Sequence, residues 1–222
     1  MLNELPKNGY SLIETPFSFR HCCWFCAEPA AKVFHFPQAA NHVINCPHPA
    51  LSLHSCQECF VPANKSRANS IWLVFREVKS FLIKQYQKDL AIGINWTQEE
   101  LANSEFEVGN FAGFQRSAWF MYEVAKKRVN FQGWPLIVNG INIEALKWSE
   151  EQSFSFDNVE YPSIEDAINH YAQTFFLPVD YFKEVLLAVG LERFAYAVRF
   201  CRLLVGTTPN ERKAALKNLM EG

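Results

Sequence analysis

The chain has 222 residues, of which 49% are apolar and 15% aromatic, and its 21 Lys/Arg against 23 Asp/Glu leave a formal charge of −2. That apolar content excludes a disordered chain and supplies a core able to fold unaided, while the length suits one domain with an appendage or two small ones. The near-neutral total argues against a dedicated duplex binder, which is basic overall.

Residues 1–21 read as an extended lead-in with Pro6, Gly9 and Pro16. Met1 to Lys7 lacks a basic stretch followed by an apolar run, so no secretory leader is expected. Residues 22–65 are loop-rich, with Pro29, Pro37, Pro47 and Pro49, and need a bound metal to hold them. From Ser66 to Ala91, Ile71, Phe75, Val78 and Leu82 recur at helical spacing, and Gly93 is expected to end that helix. Thr97-x-x-Glu100 predicts a capping box. A further helix from Asn110 to Arg128 should bury Phe114, Ala118, Trp119, Tyr122 and Ala125.

The period then changes. Leu136 to Ile143 flanks Asn139-Gly140, a pair that accepts the positive φ angles of a tight hairpin, and Phe154 to Tyr161 flanks Asp157-Asn158. Together they predict a small antiparallel sheet over 134–161. Helices resume with Ser163-x-x-Asp166. Asp180 is expected to cap the next and Gly190 to stop it; Gly206 follows another, and Thr208-Pro209 opens the last. Val185 to Val205 is the most apolar stretch, but Glu192, Arg193, Arg199 and Arg202 interrupt it, so no membrane span is expected. The fold class expected is α+β, mainly helical, with a zinc module over 1–65 and a helical domain with a β insertion over 66–222.

Chemistry concentrates in Cys23-Trp-Phe-Cys26 and Cys56-Gln-Glu-Cys59, which have 29 residues between them. Each pair can fill two corners of a tetrahedral zinc site, so the expected cofactor is Zn²⁺ held by Cys23, Cys26, Cys56 and Cys59. Cys46 and His48 are alternative ligands, His35, His42 and His54 stand near, and Cys22 has the poorer spacing. Cys201 reads as a buried thiol. Seven cysteines, odd in number and clustered, fit metal binding in a reducing, cytoplasmic setting better than a disulfide framework.

Cys23-Trp-Phe-Cys26, Phe34-His35-Phe-Pro37, Leu53-His-Ser-Cys56-Gln-Glu-Cys59 and Asn64-Lys65 together resemble the treble-clef zinc domain of HNH-type proteins, over about 45 residues. That family's active pattern implies an Asp-His pair, an Asn before the second cysteine pair, and an Asn or His directly after it. Here His35 is kept, but Phe34 stands at the Asp position, Ala50 and Leu51 near the Asn position (Asn45 lies upstream), and Phe60 after the last cysteine. Phenylalanine neither ligates a metal nor moves a proton, so the resemblance implies a retained scaffold with lost nuclease chemistry. The alternative is a nuclease using His35 with Asn45, His48 or His54. Size and paired cysteines also resemble the zinc-finger protein at the large-subunit position of type IV CRISPR effector complexes.

Residues 1–90 hold nine Lys/Arg against six Asp/Glu, whereas 131–184 hold only Lys147 and Lys183 as cations. The segment from 191 recovers, with Arg193, Arg199, Arg202, Arg212, Lys213 and Lys217, so a polyanion should approach the ends of the chain and not its middle. The expected contacts are Arg20, Lys32, Lys65, Arg67, Arg76, Lys79 and Lys84, with Trp24 as an exposed stacking surface in the first knuckle. The leading expectation is a non-catalytic, zinc-stabilised nucleic-acid-associated subunit of a larger bacterial assembly, with protein partners and no small-molecule cofactor. The rivals are an HNH-type endonuclease and a zinc-stapled protein-interaction adaptor.

Overall fold

Period-two alternation builds the first layer. In the computed structural model, which describes residues 9–38, 46–103, 111–144 and 153–221, strands β1 (Ser11–Leu12), β2 (Lys32–Phe36) and β3 (Leu51–Ser55) form one sheet. The strand β3 lies at its centre, parallel to β1 and antiparallel to β2, with Phe34 opposite Leu53 and Phe36 opposite Leu51. Phe34, Phe36, Leu51 and Leu53 are buried, and their neighbours Val33, His35, Ser52 and His54 are not. The segment expected to be loop-rich therefore carries a hairpin; its prolines flank the strands rather than interrupt them. Asn45, His42, Lys147 and the first eight residues lie outside the described residues.

Helix α1 (Gln57–Lys65) follows directly, then α2 (Ile71–Gln85), α3 (Gln87–Asn95), α4 (Gln98–Asn103) and α5 (Phe111–Asn130). Ser70 caps α2 by accepting from the Leu73 N–H at 3.3 Å. The predicted helix over 66–91 is two, divided at Tyr86. Gly93 does not end it: it lies inside α3, where a Cβ would collide with the Tyr122 ring, so its lack of a side chain serves close packing of α3 against α5. Thr97 and Glu100 form the expected box, the Thr97 N–H donating to Glu100 Oε2 at 2.8 Å and the Glu100 N–H to Thr97 Oγ1 at 3.1 Å. Along α5, Tyr122 and Ala125 are buried and Ala118 and Trp119 half-buried; the Phe114 side chain lies outside the described residues.

Strands β4 (Ile137–Val138) and β5 (Ile141–Asn142) turn at Asn139 (φ 51°) and Gly140 (φ 77°), and β6 (Phe154–Phe156) and β7 (Val159–Tyr161) at Asp157 (φ 50°) and Asn158 (φ 60°). Both hairpins match the sequence reading, but they form two separate two-stranded ribbons rather than one sheet. Each buries its own inward residues, Val138 in the first and Val159 and Tyr161 in the second.

The chain divides into two compact units, Met1–Pro162 and Ser163–Gly222. The cysteine segment shares its core with the helices that follow: the rings of Trp24 and Phe75 meet edge to face at 5.0 Å, and those of Phe25 and Phe75 lie 6.2 Å apart.

The second unit is four helices, α6 (Ile164–Phe175), α7 (Val179–Val189), α8 (Phe194–Leu203) and α9 (Pro209–Glu221). Ser163 caps α6 as expected, accepting from the Asp166 N–H at 3.2 Å. Asp180 lies in the first turn of α7, whose cap is Pro178; the carboxylate there favours the helix dipole without capping. Gly190, at φ 90°, stops that helix. Tyr171, Phe182, Val185 and Phe194 fill the core, and burial pushes the Cys201 thiol up to about 12. The protein is α+β and mainly helical, and no helix among the described residues is long and apolar enough to cross a membrane.

His170 is buried in this second core, and desolvation lowers its pKa to about 4. Its folded value lies below its unfolded one, so its stabilising share is full above pH 6.5 and is lost as the pH falls toward 4. Chemical denaturation of the full chain should show a loss of about 3 kcal/mol over that window, and His170→Leu should flatten it. An unchanged slope in the variant would remove His170 as the cause.

Candidate metal centre

Two short structures bring the four sulfurs together. In the first, the Cys23 N–H donates to the Glu28 carbonyl at 2.7 Å and the Ala27 N–H to the Cys23 carbonyl at 2.9 Å, with Ala27 left-handed at φ 63°. This tight turn holds Cys23 and Cys26 on one side. In the second, Cys56 is the N-cap of α1 and its sulfur accepts from the Cys59 N–H at 3.4 Å, so both sulfurs sit at the positive end of the helix. The hairpin of β2 and β3 joins the two, and the Trp24 N–H donates to the His54 carbonyl at 2.9 Å, locking turn to strand.

The four sulfurs lie within 4.8 Å of one another, with Cys26 Sγ and Cys56 Sγ 3.7 Å apart. A zinc–sulfur distance of about 2.3 Å places tetrahedral sulfurs roughly 3.8 Å apart, so the cluster has the size of a four-thiolate metal site. All four cysteines are buried and none is in a disulfide. The hydrogen bond with Cys23 lowers the Cys26 thiol to about 7 and lowers that of Cys56; Cys23 is raised by its bonds to Cys26 and Cys56, and Cys59 by its bonds to the other three. Four adjacent sulfurs can all lose their protons only if a cation takes up the charge, which a bound divalent metal does.

Two buried cations flank the cluster. Arg128, on α5, directs Nη2 to Cys26 Sγ at 3.5 Å and to Glu58 Oε2 at 2.5 Å, while Nη1 donates to Tyr86 Oη. Tyr86 Oη is also 2.9 Å from Glu58 Oε2. Burial works against the Arg128 charge, but the Cys26 sulfur and the Glu58 carboxylate outweigh it and raise its pKa. Lys79 donates from Nζ to the Arg128 carbonyl at 2.8 Å; burial lowers its pKa to about 8, against the pull of the nearby sulfurs. A four-thiolate site around a divalent ion carries two net negative charges, and these two side chains place positive charge beside it. Nothing in the cysteine spacing points to Arg128, which is 102 positions from Cys26.

The alternative ligands have other work. His48 accepts from the Ile71 N–H at Nε2 (2.9 Å) and approaches the Pro49 carbonyl through Nδ1 (2.9 Å), which uses both nitrogens to fix the start of α2. Cys46 donates to the His48 carbonyl at 3.2 Å. Neither belongs to the four-sulfur cluster.

The expected nucleic-acid contacts separate into three groups. Trp24 is not a stacking surface: it is 2% exposed, and its Nε1–H donates to the Trp134 carbonyl at 3.0 Å. Lys79 is 3% exposed and equally removed from solvent contact. Both were placed outside because a knuckle and a helix face are exposed when isolated, whereas α2 and α5 cover them here. Arg76 is half-buried; Lys65, Arg67 and Lys84 are exposed. Arg20 and Lys32 are exposed and line one groove with His21 and His54. Beside it Phe17 is 76% exposed, with the Arg20 guanidinium 3.6 Å over its ring. Phe17 and His21 carry no sequence expectation, although an aromatic three positions before an arginine is a readable signal; His54 is expected only near the metal or in the alternative nuclease, not in this groove. His35 is exposed and hydrogen-bonded through Nδ1 to Ser52 Oγ at 2.8 Å.

No protein-family model, curated protein or solved structure matches this chain.

Proposed function

We propose that this chain is a non-catalytic, zinc-stabilised nucleic-acid-associated protein acting as a subunit of a larger bacterial nucleoprotein assembly. The observation that carries the reading is a buried four-sulfur cluster on a knuckle, a hairpin and a helix start, with a cationic groove on the same module. This order resembles that of a treble clef of the HNH type, which supports the reading, and four thiolates at tetrahedral size favour zinc. The contact surface is the groove of Arg20, His21, Lys32 and His54, with Phe17 as its exposed ring. Loss of nuclease chemistry is supported by Phe34 and Phe60, whose rings pack edge to face at 6.5 Å where the family's active members need polar groups.

Filter binding of single-stranded and duplex DNA and RNA at two salt concentrations tests the groove. Affinity should fall with salt, and Arg20→Ala with Lys32→Ala should reduce the slope by about 0.7–0.9 per lost phosphate contact. Binding that ignores salt, or a double variant with the parent slope, would remove the groove. Magnesium-dependent nicking abolished by His35→Ala would instead establish the nuclease.

A protein-interaction adaptor is the second reading, favoured by the large apolar side chains that the second unit exposes, Phe176 at 85%, Leu187 at 86% and Leu203 at 82%. Absence of any salt-sensitive polymer binding would favour it.

A further inference from the structure

The second unit carries a cationic helix face that the proposed groove does not use. From Arg193 to Asn210 the chain has three arginines and no acidic residue. Phe194, Ala197, Val198 and Cys201 turn one side of α8 into the core, at helical spacing. Arg193 at its start, then Tyr196, Arg199 and Arg202, are left exposed on the other. This stretch rises about 15 Å along the helix.

The arginines are presented, not neutralised. Among the described residues no carboxylate pairs with Arg193, Arg199 or Arg202. Two of the three lie over rings instead: the Arg193 guanidinium is 4.6 Å from the centre of Tyr196, and that of Arg202 is 4.1 Å from the centre of Phe175 on α6. Such contacts fix a guanidinium and leave its N–H edge for another acceptor. Tyr196 and Phe200, one turn apart, are close to parallel, with ring centres 6.2 Å apart and planes 20° from each other. Tyr196 is 38% exposed, so part of this ring pair meets solvent between the cations.

Guanidinium forks match phosphate oxygens, while exposed rings and guanidinium planes accept unpaired bases by stacking. We infer that this face of α8 binds single-stranded nucleic acid, with backbone phosphates on Arg193, Arg199 and Arg202 and a base against Tyr196. An acidic peptide would pair with the guanidinium groups but leave the ring pair without a complement. A duplex presents phosphates with its bases already stacked on one another. The inference takes its polymer class from the function proposed above and none of its residues, because the groove of Arg20 and Lys32 belongs to the other unit.

Fluorescence anisotropy of the full metal-loaded chain with a labelled single strand provides the test, with an abasic strand, a duplex and oligoglutamate as competitors. Arg199→Gln with Arg202→Gln should lower the salt slope by about 1.4. Tyr196→Leu should weaken single-strand binding about tenfold, and Tyr196→Phe, which keeps the ring, should bind like the parent. Photocrosslinking of a bromouridine strand should mark the tryptic peptide from Phe194 to Arg199. These effects should persist in the Arg20→Ala, Lys32→Ala background, which separates the two surfaces: if that background binds like the parent while the α8 variants lose affinity, the groove falls and α8 stands. An α8 set that binds with the parent slope and affinity overturns the inference and leaves the groove. Abasic strand competing as well as the base-containing one removes the stacking role of Tyr196. Oligoglutamate competing as well as the strand assigns the face to an acidic protein instead.

Discussion

Cys59→Ser should cost the first unit its fold. Cys59 is fully buried and one of four sulfurs within 4.8 Å of one another. With zinc bound, such a site contributes roughly 10–16 kcal/mol of apparent binding energy, as large as the roughly 5–15 kcal/mol by which whole domains are stable. The module around it has only a short sheet and one helix of nine residues of its own and shares its aromatic core with α2, so unseating the cysteines disturbs both. Elemental analysis should find one zinc per parent chain and a clear deficit in Cys59→Ser, with loss of near-ultraviolet circular dichroism. Chelation of the parent should give the same state. Residues 163–222 have their own apolar core, and their helical signal should persist. Cys22→Ser and Cys46→Ser, which alter sulfurs outside the cluster, should keep the metal. A Cys59→Ser chain that melts like the parent would remove the metal as the organiser of this unit.

What could be read in advance was local, and what could not was tertiary. The metal pairs, the Asn139-Gly140 turn, the Ser163 cap and the Thr97–Glu100 box each depend on residues within a few positions of one another, and all appear in the structure. Strands β2 and β3 were also legible, since Val33 to Phe36 and Leu51 to His54 alternate, but the surrounding prolines drew the reading toward loop. Trp24, Lys79 and Gly93 were misplaced for one shared reason. Each was judged from its own segment, and each is determined by a distant element: Trp24 by the Trp134 carbonyl, Lys79 by that of Arg128, and Gly93 by the Tyr122 ring. The packing across Lys65 is tertiary in the same way: Trp24 and Phe25 complete a core with Phe75 of the next segment.

The role of Arg128 follows from charge alone and gives the sharper test. A metal held by four thiolates brings two net negative charges into a buried place, and Glu58 adds a third beside it. Arg128 meets Cys26 and Glu58 with one nitrogen, at 3.5 and 2.5 Å, and its backbone carbonyl holds the Lys79 ammonium at 2.8 Å. Arg128→Met keeps much of the packing and removes the charge, leaving the cluster and Glu58 facing each other. Breaking one side of a buried ion pair costs about 3–5 kcal/mol, and loss of a group hydrogen-bonded to a metal ligand weakens metal affinity by about 10–100-fold. Competition with a chromophoric chelator should show that weakening. Lys79→Met should do less, because burial already lowers the lysine pKa to about 8 and its ammonium bonds a carbonyl rather than a sulfur. Adding Glu58→Gln to Arg128→Met should recover part of the loss, since the unpaired carboxylate is then neutral. If Arg128→Met holds zinc as tightly as the parent, the cluster does not need that counter-charge, and the link between α5 and the metal centre is packing only.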